Sequence, residues 1–86
     1  MEKRFVFFYF MKKEPEKIKA AVPSHIEYWY KLKLNNYLGG PFADRSGGMI
    51  TFEAGSIEEA TKITDNDPFV IQDLLESKWL KEWVVE

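Results

Sequence analysis

The sequence predicts an α+β domain whose elements run β-α-β-β-α-β around an antiparallel sheet. Three observations predict it. An aromatic, β-prone run opens the chain at Arg4 to Met11; apolar residues at three- and four-residue spacing follow over Glu14 to Leu34; and two short strand-like runs bracket the stretch GGPFADRSGG at residues 39–48.

Each element follows in order. In the first run the odd positions (Phe5, Phe7, Tyr9, Met11) and the even positions (Val6, Phe8, Phe10) are all apolar. A sheet covered by helices on one side has one wet face, so a strand with no polar face needs a second cover. A second copy of the same sheet is the simplest one, which predicts a homodimer. The helical segment carries Ile18, Ala21, Val22, Tyr28, Trp29 and Leu32 on one stripe, with His25 one turn before Trp29. Pro23 divides it, and Pro23-Ser24-His25 starts the second, firmer part. Asn35-Asn36 stops the helix. Tyr37 to Phe42 forms the second strand and Met49 to Ala54 the third. Ser56-Ile57-Glu58-Glu59 is a capping box for a helix from Ile57 to about Thr64, ended by Asp65-Asn66-Asp67-Pro68. Ser77 to Val85, with Trp79, Trp83 and Val85 alternating, is the last strand. This order is the ferredoxin-like arrangement.

Composition narrows the function. With 86 residues the chain makes a single domain, 1–86, too small to bury a large core, and it gains from oligomerisation. A net charge of −2 gives no field that attracts nucleic acid or acidic lipid. The aromatic first strand lacks the glycine-bearing, basic pattern of RNA-binding sheets. The chain has no cysteine and one histidine, which excludes disulfides and cysteine-ligated zinc and leaves no His-rich metal set. No metal or organic cofactor is expected. Phe5 to Met11 is too short to span a bilayer and lacks a cleavage site, so the default location is the cytoplasm, with no membrane partner.

Several motifs resemble those of the YciI-like (YCII-related) family, within the dimeric α/β-barrel superfamily. They are Pro23-Ser24-His25 followed by Tyr28; Gly40-Pro41 followed by Asp44 and Gly48; Ser56-Ile57-Glu58-Glu59-Ala60; and Asp67-Pro68-Phe69-Val70. The resemblance implies a ferredoxin-like protomer that pairs sheet to sheet. It also implies an active site of one histidine and one aspartate, which correspond here to His25 and Asp44.

The residues themselves suggest how such a pair would form. His25 lies on the sheet-facing stripe and needs a partner for its ring nitrogens. Gly39, Gly40, Gly47 and Gly48 give the connection freedom to fold back and present Asp44 to it. A carboxylate beside an imidazole fixes its tautomer and supports general acid or base chemistry near neutral pH. The small-molecule substrate would meet Tyr28, Trp29 and Phe42, with Ser24 giving a hydrogen bond and Arg45 holding a carboxylate. Asp67-Pro68-Phe69 reads as structural, a turn followed by a core plug. The expected activity is isomerisation, elimination or hydrolysis without a cofactor. The competing readings are a ligand-binding or regulatory dimer without turnover, and an assembly module.

Overall fold

The structure is a computed structural model that describes residues 2–86. Its elements are β1 (Lys3–Met11), α1 (Pro15–Lys31), β2 (Leu38–Pro41), β3 (Gly47–Ala54), α2 (Ile57–Asp65), α3 (Pro68–Ile71) and β4 (Leu75–Glu82). The strands form one antiparallel sheet in the order β2-β3-β1-β4, the expected ferredoxin-like arrangement with one short helix added.

Register decides which residues share a face. Phe5 sits opposite Phe52, Phe7 opposite Ile50 and Tyr9 opposite Gly48. These residues are buried with Ala21 and Trp29 of α1, Ala60 of α2 and Phe69 of α3. On the other face Phe8 lies between Met49 and Trp79, and its ring stacks on Trp79 at 5.0 Å. There Phe10, Met49 and Trp79 are 39%, 44% and 41% exposed, so the aromatic second face of β1 is present and open in the protomer.

The structure corrects several expected boundaries. α1 runs unbroken through Pro23, which forgoes one backbone bond while Ala21 and Trp29 anchor the helix to the sheet on either side. α3 has only four residues, too few for a periodic signal, and is started by Asp67 and Pro68. β4 begins two residues earlier than expected, because Leu75 is buried and pairs with Met11, and ends at Glu82, which leaves Trp83 and Val85 beyond it.

The glycines are strand residues. Gly39 and Gly40 belong to β2, Gly47 and Gly48 open β3, and only residues 42–46 connect them. No glycine has a positive φ; within the connection it is Arg45 that takes the left-handed conformation, at φ 64°. What the glycines supply is space. A Cβ on Gly48 would stand 2.6 Å from the Tyr9 hydroxyl, and one on Gly39 would stand 2.9 Å from the Tyr37 hydroxyl. Among the described residues no helix is long and apolar enough to cross a membrane.

Candidate functional site

The site is built around Asp67. Pro68 occupies the first turn of α3, and the Asp67 carboxylate caps that turn by accepting from the Phe69 amide at 2.8 Å. His25 and Trp29 are four residues apart on α1 and therefore share a face. Both reach the same carboxylate: the Trp29 indole Nε1–H donates to Oδ2 at 2.8 Å, and His25 Nδ1–H donates to Oδ1 at 2.9 Å. Asp67 is fully buried. Burying a carboxylate is costly unless its oxygens are bonded, and here three donors offset that cost.

The carboxylate can only accept, so Nδ1 carries a proton in this bond, and in the neutral imidazole Nε2 is then the nitrogen with the lone pair. Among the described residues Nε2 has no hydrogen-bond partner. The ring lies flat on Phe69, with centroids 4.0 Å apart and planes 10° apart, and the edge of Tyr9 flanks it at 6.3 Å. His25 is thus fixed on one side by a charge-assisted bond and on the other by stacking, while 12% of its side chain stays exposed.

That exposed part faces a cleft of about 1020 Å³ between α1 and the ends of β1 and β2. Ile18, Val22 and Ile26 form the helix wall, and Tyr9, Tyr37 and Pro41 lie across from them. Lys12, Lys13, Lys19 and Arg45 also line it, and no carboxylate does among the described residues. Lys12 is paired outward with Asp73 at 2.9 Å. An apolar cleft with a cationic rim and one basic nitrogen suits a small organic anion.

Of the residues expected here, His25 and Arg45 line the cleft, and Asp44, Ser24, Tyr28, Trp29 and Phe42 do not. The carboxylate on His25 is that of Asp67. Asp44 is exposed in the hairpin connection, where its Oδ1 accepts from the Ser46 hydroxyl at 2.7 Å and the Ser46 amide at 3.0 Å. Those two bonds, the hydroxyl foremost, hold its carboxyl below the usual range. A five-residue connection that closes on itself in this way has no slack to fold back on α1. Tyr28 donates its hydroxyl to the Ile63 carbonyl at 2.6 Å, and Trp29 is 1% exposed in the core. Ser24 is exposed on α1, and Phe42 packs against Phe10 at 5.7 Å, on the open sheet face.

The sequence reading gives Asp67 only a structural turn, which it does form by capping α3, and gives the hydroxyls of Tyr9 and Tyr37 no role. A buried tryptophan needs a partner for its indole N–H, and Trp29 four residues after His25 was the signal that both would seek one acceptor. The motif Asp67-Pro68-Phe69 held that acceptor.

Comparison with known proteins agrees with this architecture. The family model for the YCII-related domain matches residues 4–84. The uncharacterised protein YjpA of Bacillus subtilis (strain 168) is 39% identical over 64 residues, covering 72% of this chain and 74% of YjpA. Among solved structures, 5-chloro-2-hydroxyhydroquinone dehydrochlorinase (TftG) of Burkholderia phenoliruptrix AC1100, in complex with 2,5-dihydroxybenzoquinone, superposes with a TM-score of 0.77. It is 22% identical, over 94% of this chain and 93% of TftG. Protein SO0527 of Shewanella oneidensis gives 0.60 at 16% identity, over 95% and 88% of the two chains. Rv0793 of Mycobacterium tuberculosis gives 0.57 at 8%, over 100% and 98%. These structural likenesses show a shared fold, and the family match over nearly the whole chain places the protein in the YciI-like, YCII-related family.

Proposed function

We propose that this protein is a cofactor-independent enzyme that moves a proton on a small organic ring anion, with His25 as acid or base and Asp67 as the residue that orients it. The observation that carries the reading is the Asp67 carboxylate, buried and held by three donors, which fixes by Nδ1 a histidine that lines the cleft. Nε2 takes a proton from a C–H or O–H group of the substrate and returns it at another position. Asp67 keeps the Nδ1 proton in place and stabilises the imidazolium formed in between. Isomerisation uses both halves of this transfer; elimination uses the abstraction, the electron pair of the broken C–H bond expelling a leaving group that departs with the proton. The cationic rim, Arg45 included, draws an anionic substrate and holds an acidic group of it. TftG, which shares the fold, binds a dihydroxyquinone, a ring of the size and acidity that this cleft suits.

The test follows the proton directly. With 2,5-dihydroxybenzoquinone in D₂O, the wild-type protein is expected to accelerate exchange of the ring hydrogens, read by proton NMR. His25→Gln is expected to lower that rate at least a hundredfold, the scale of general acid–base catalysis. Unaccelerated exchange that His25→Gln leaves unchanged would reduce the cleft to a binding site.

The reading includes a homodimer paired through the open sheet face. Phe8, Phe10, Met49 and Trp79 form a connected apolar strip there, and isolated protomers rarely expose one. Sedimentation is expected to give twice the protomer mass of 10.1 kDa, and Trp79→Glu to give the protomer.

A further inference from the structure

Two tyrosine hydroxyls at the cleft have no role in the pair described above. Tyr9 is only 3% exposed, yet its hydroxyl makes no hydrogen bond among the described residues. Tyr37 stacks on Trp29 at 6.1 Å, and its hydroxyl is likewise without a partner among them. Neither hydroxyl is sealed from solvent: among the described residues no buried side-chain oxygen lacks a partner, so these two donors stay accessible to whatever fills the space beside them. Both rings line the cleft that His25 faces.

The sheet is cut away to receive both hydroxyls. Gly48 lies opposite Tyr9 on β1 and Pro41 on β2, while Gly39 lies opposite Ile50, two residues further along β3. The two glycines are therefore diagonal neighbours on the helix-covered face, and a Cβ on either would press on one hydroxyl. Burial foremost, and then the negative charge of Asp67, push both phenols up; a charge on Tyr37 further opposes ionisation of Tyr9. Both groups stay O–H donors at neutral pH.

We propose that the Tyr9 and Tyr37 hydroxyls form a pair of neutral donors that binds the negatively charged oxygen of an enolate or phenolate ligand. This rests on the acid–base reading only for the origin of the charge: a proton taken by His25 Nε2 leaves its electron pair delocalised onto a ring oxygen. Donors already in place, and bonded to nothing else, stabilise that oxygen without reorganising. The rim cations remain free for a second acidic group.

Two coloured oxyanions, 2,5-dihydroxybenzoquinone and 4-nitrophenolate, serve as probes, with nitrobenzene as the neutral control. The wild type, Tyr9→Phe, Tyr37→Phe and the double variant are titrated with each. Each single change is expected to weaken oxyanion binding about tenfold, the loss of one bond to a charged group, and to leave nitrobenzene unaffected. The phenylalanine variants are expected to melt no lower than the wild type, since no protein bond is lost. A wild type that takes up neither oxyanion, variants that bind both as tightly as it does, or a lowered Tm in Tyr9→Phe would overturn the proposal. Tyrosine-dependent binding that persists in His25→Gln while ring exchange is absent would uphold the donor pair and remove the proton-transfer reading alone.

Discussion

Asp67 joins three parts of the chain through one side chain: it caps α3, accepts the Trp29 indole and holds His25. Asp67→Ala would leave the indole and the Phe69 amide unpaired in a buried setting. A loss of roughly 3 kcal/mol or more is expected in urea unfolding, on the scale of removing the acceptor from several buried donors. Asp44→Ala, which frees only an exposed turn, is expected to cost far less. At this scale the sequence was half legible. His25 stood out because it is alone and sits on an apolar stripe. Its partner did not, because 42 residues separate the two and only the packing of α3 against α1 brings them together. Asp44 is ambiguous because an aspartate among glycines has the same signature whether it serves a turn or a site, and its carboxylate bonds Ser46. Tyr9 stands in the sequence as one more apolar odd position of β1, since alternation reports which face a ring takes and nothing about what its hydroxyl meets.

Elements were easier to read than residues. An aromatic, β-prone run marks β1 and alternation marks β3 and β4, while the capping box marks α2, where Ser56 accepts from the Glu59 amide at 3.1 Å. Two features were hidden for opposite reasons. α3 is too short to have a period, and α1 survives a residue that ordinarily ends helices. Pro23 lacks the N–H that would bond the Lys19 carbonyl, and the turn it interrupts is held by tertiary contacts. Pro23→Ala is therefore expected to stabilise the protein by about 1–3 kcal/mol, measured by urea unfolding, with the His25 Nδ1 proton signal unmoved. A loss of stability would mean that the proline sets a bend on which the packing of α1 depends. The glycines of the hairpin carried a similar ambiguity. Composition suggests freedom of the backbone, whereas Gly39 presses on Tyr37 and Gly47 and Gly48 on Tyr9, leaving no room there for a side chain; only Gly40 has open space.

For the whole molecule, the tyrosines set the response to alkali. Tyr9, Tyr28 and Tyr37 are each raised above the ordinary 10.0, in every case chiefly by burial and then by the Asp67 charge. A raised folded value means that the native state keeps protons the unfolded chain would release. The stabilisation from these phenols is thus complete below about pH 10 and is lost as pH rises beyond it. Phenolate absorbance and loss of helical dichroism are expected to appear together above that pH. Phenolate forming well before the fold opens would show these rings to be accessible. The aromatic content of β1, read from sequence as serving two faces, is what places a titratable ring so deep in this small protein.

The shared carboxylate has a consequence for variation in a living cell. In many enzymes a damaged site leaves an idle but folded protein, which still occupies its partners and its place in the cell. Here the group that aims the imidazole is also a keystone of the fold, so losing one means losing much of the other. A strain bearing a substitution at Asp67 would look like one with too little of the protein, cleared by proteolysis, rather than one carrying an inert copy.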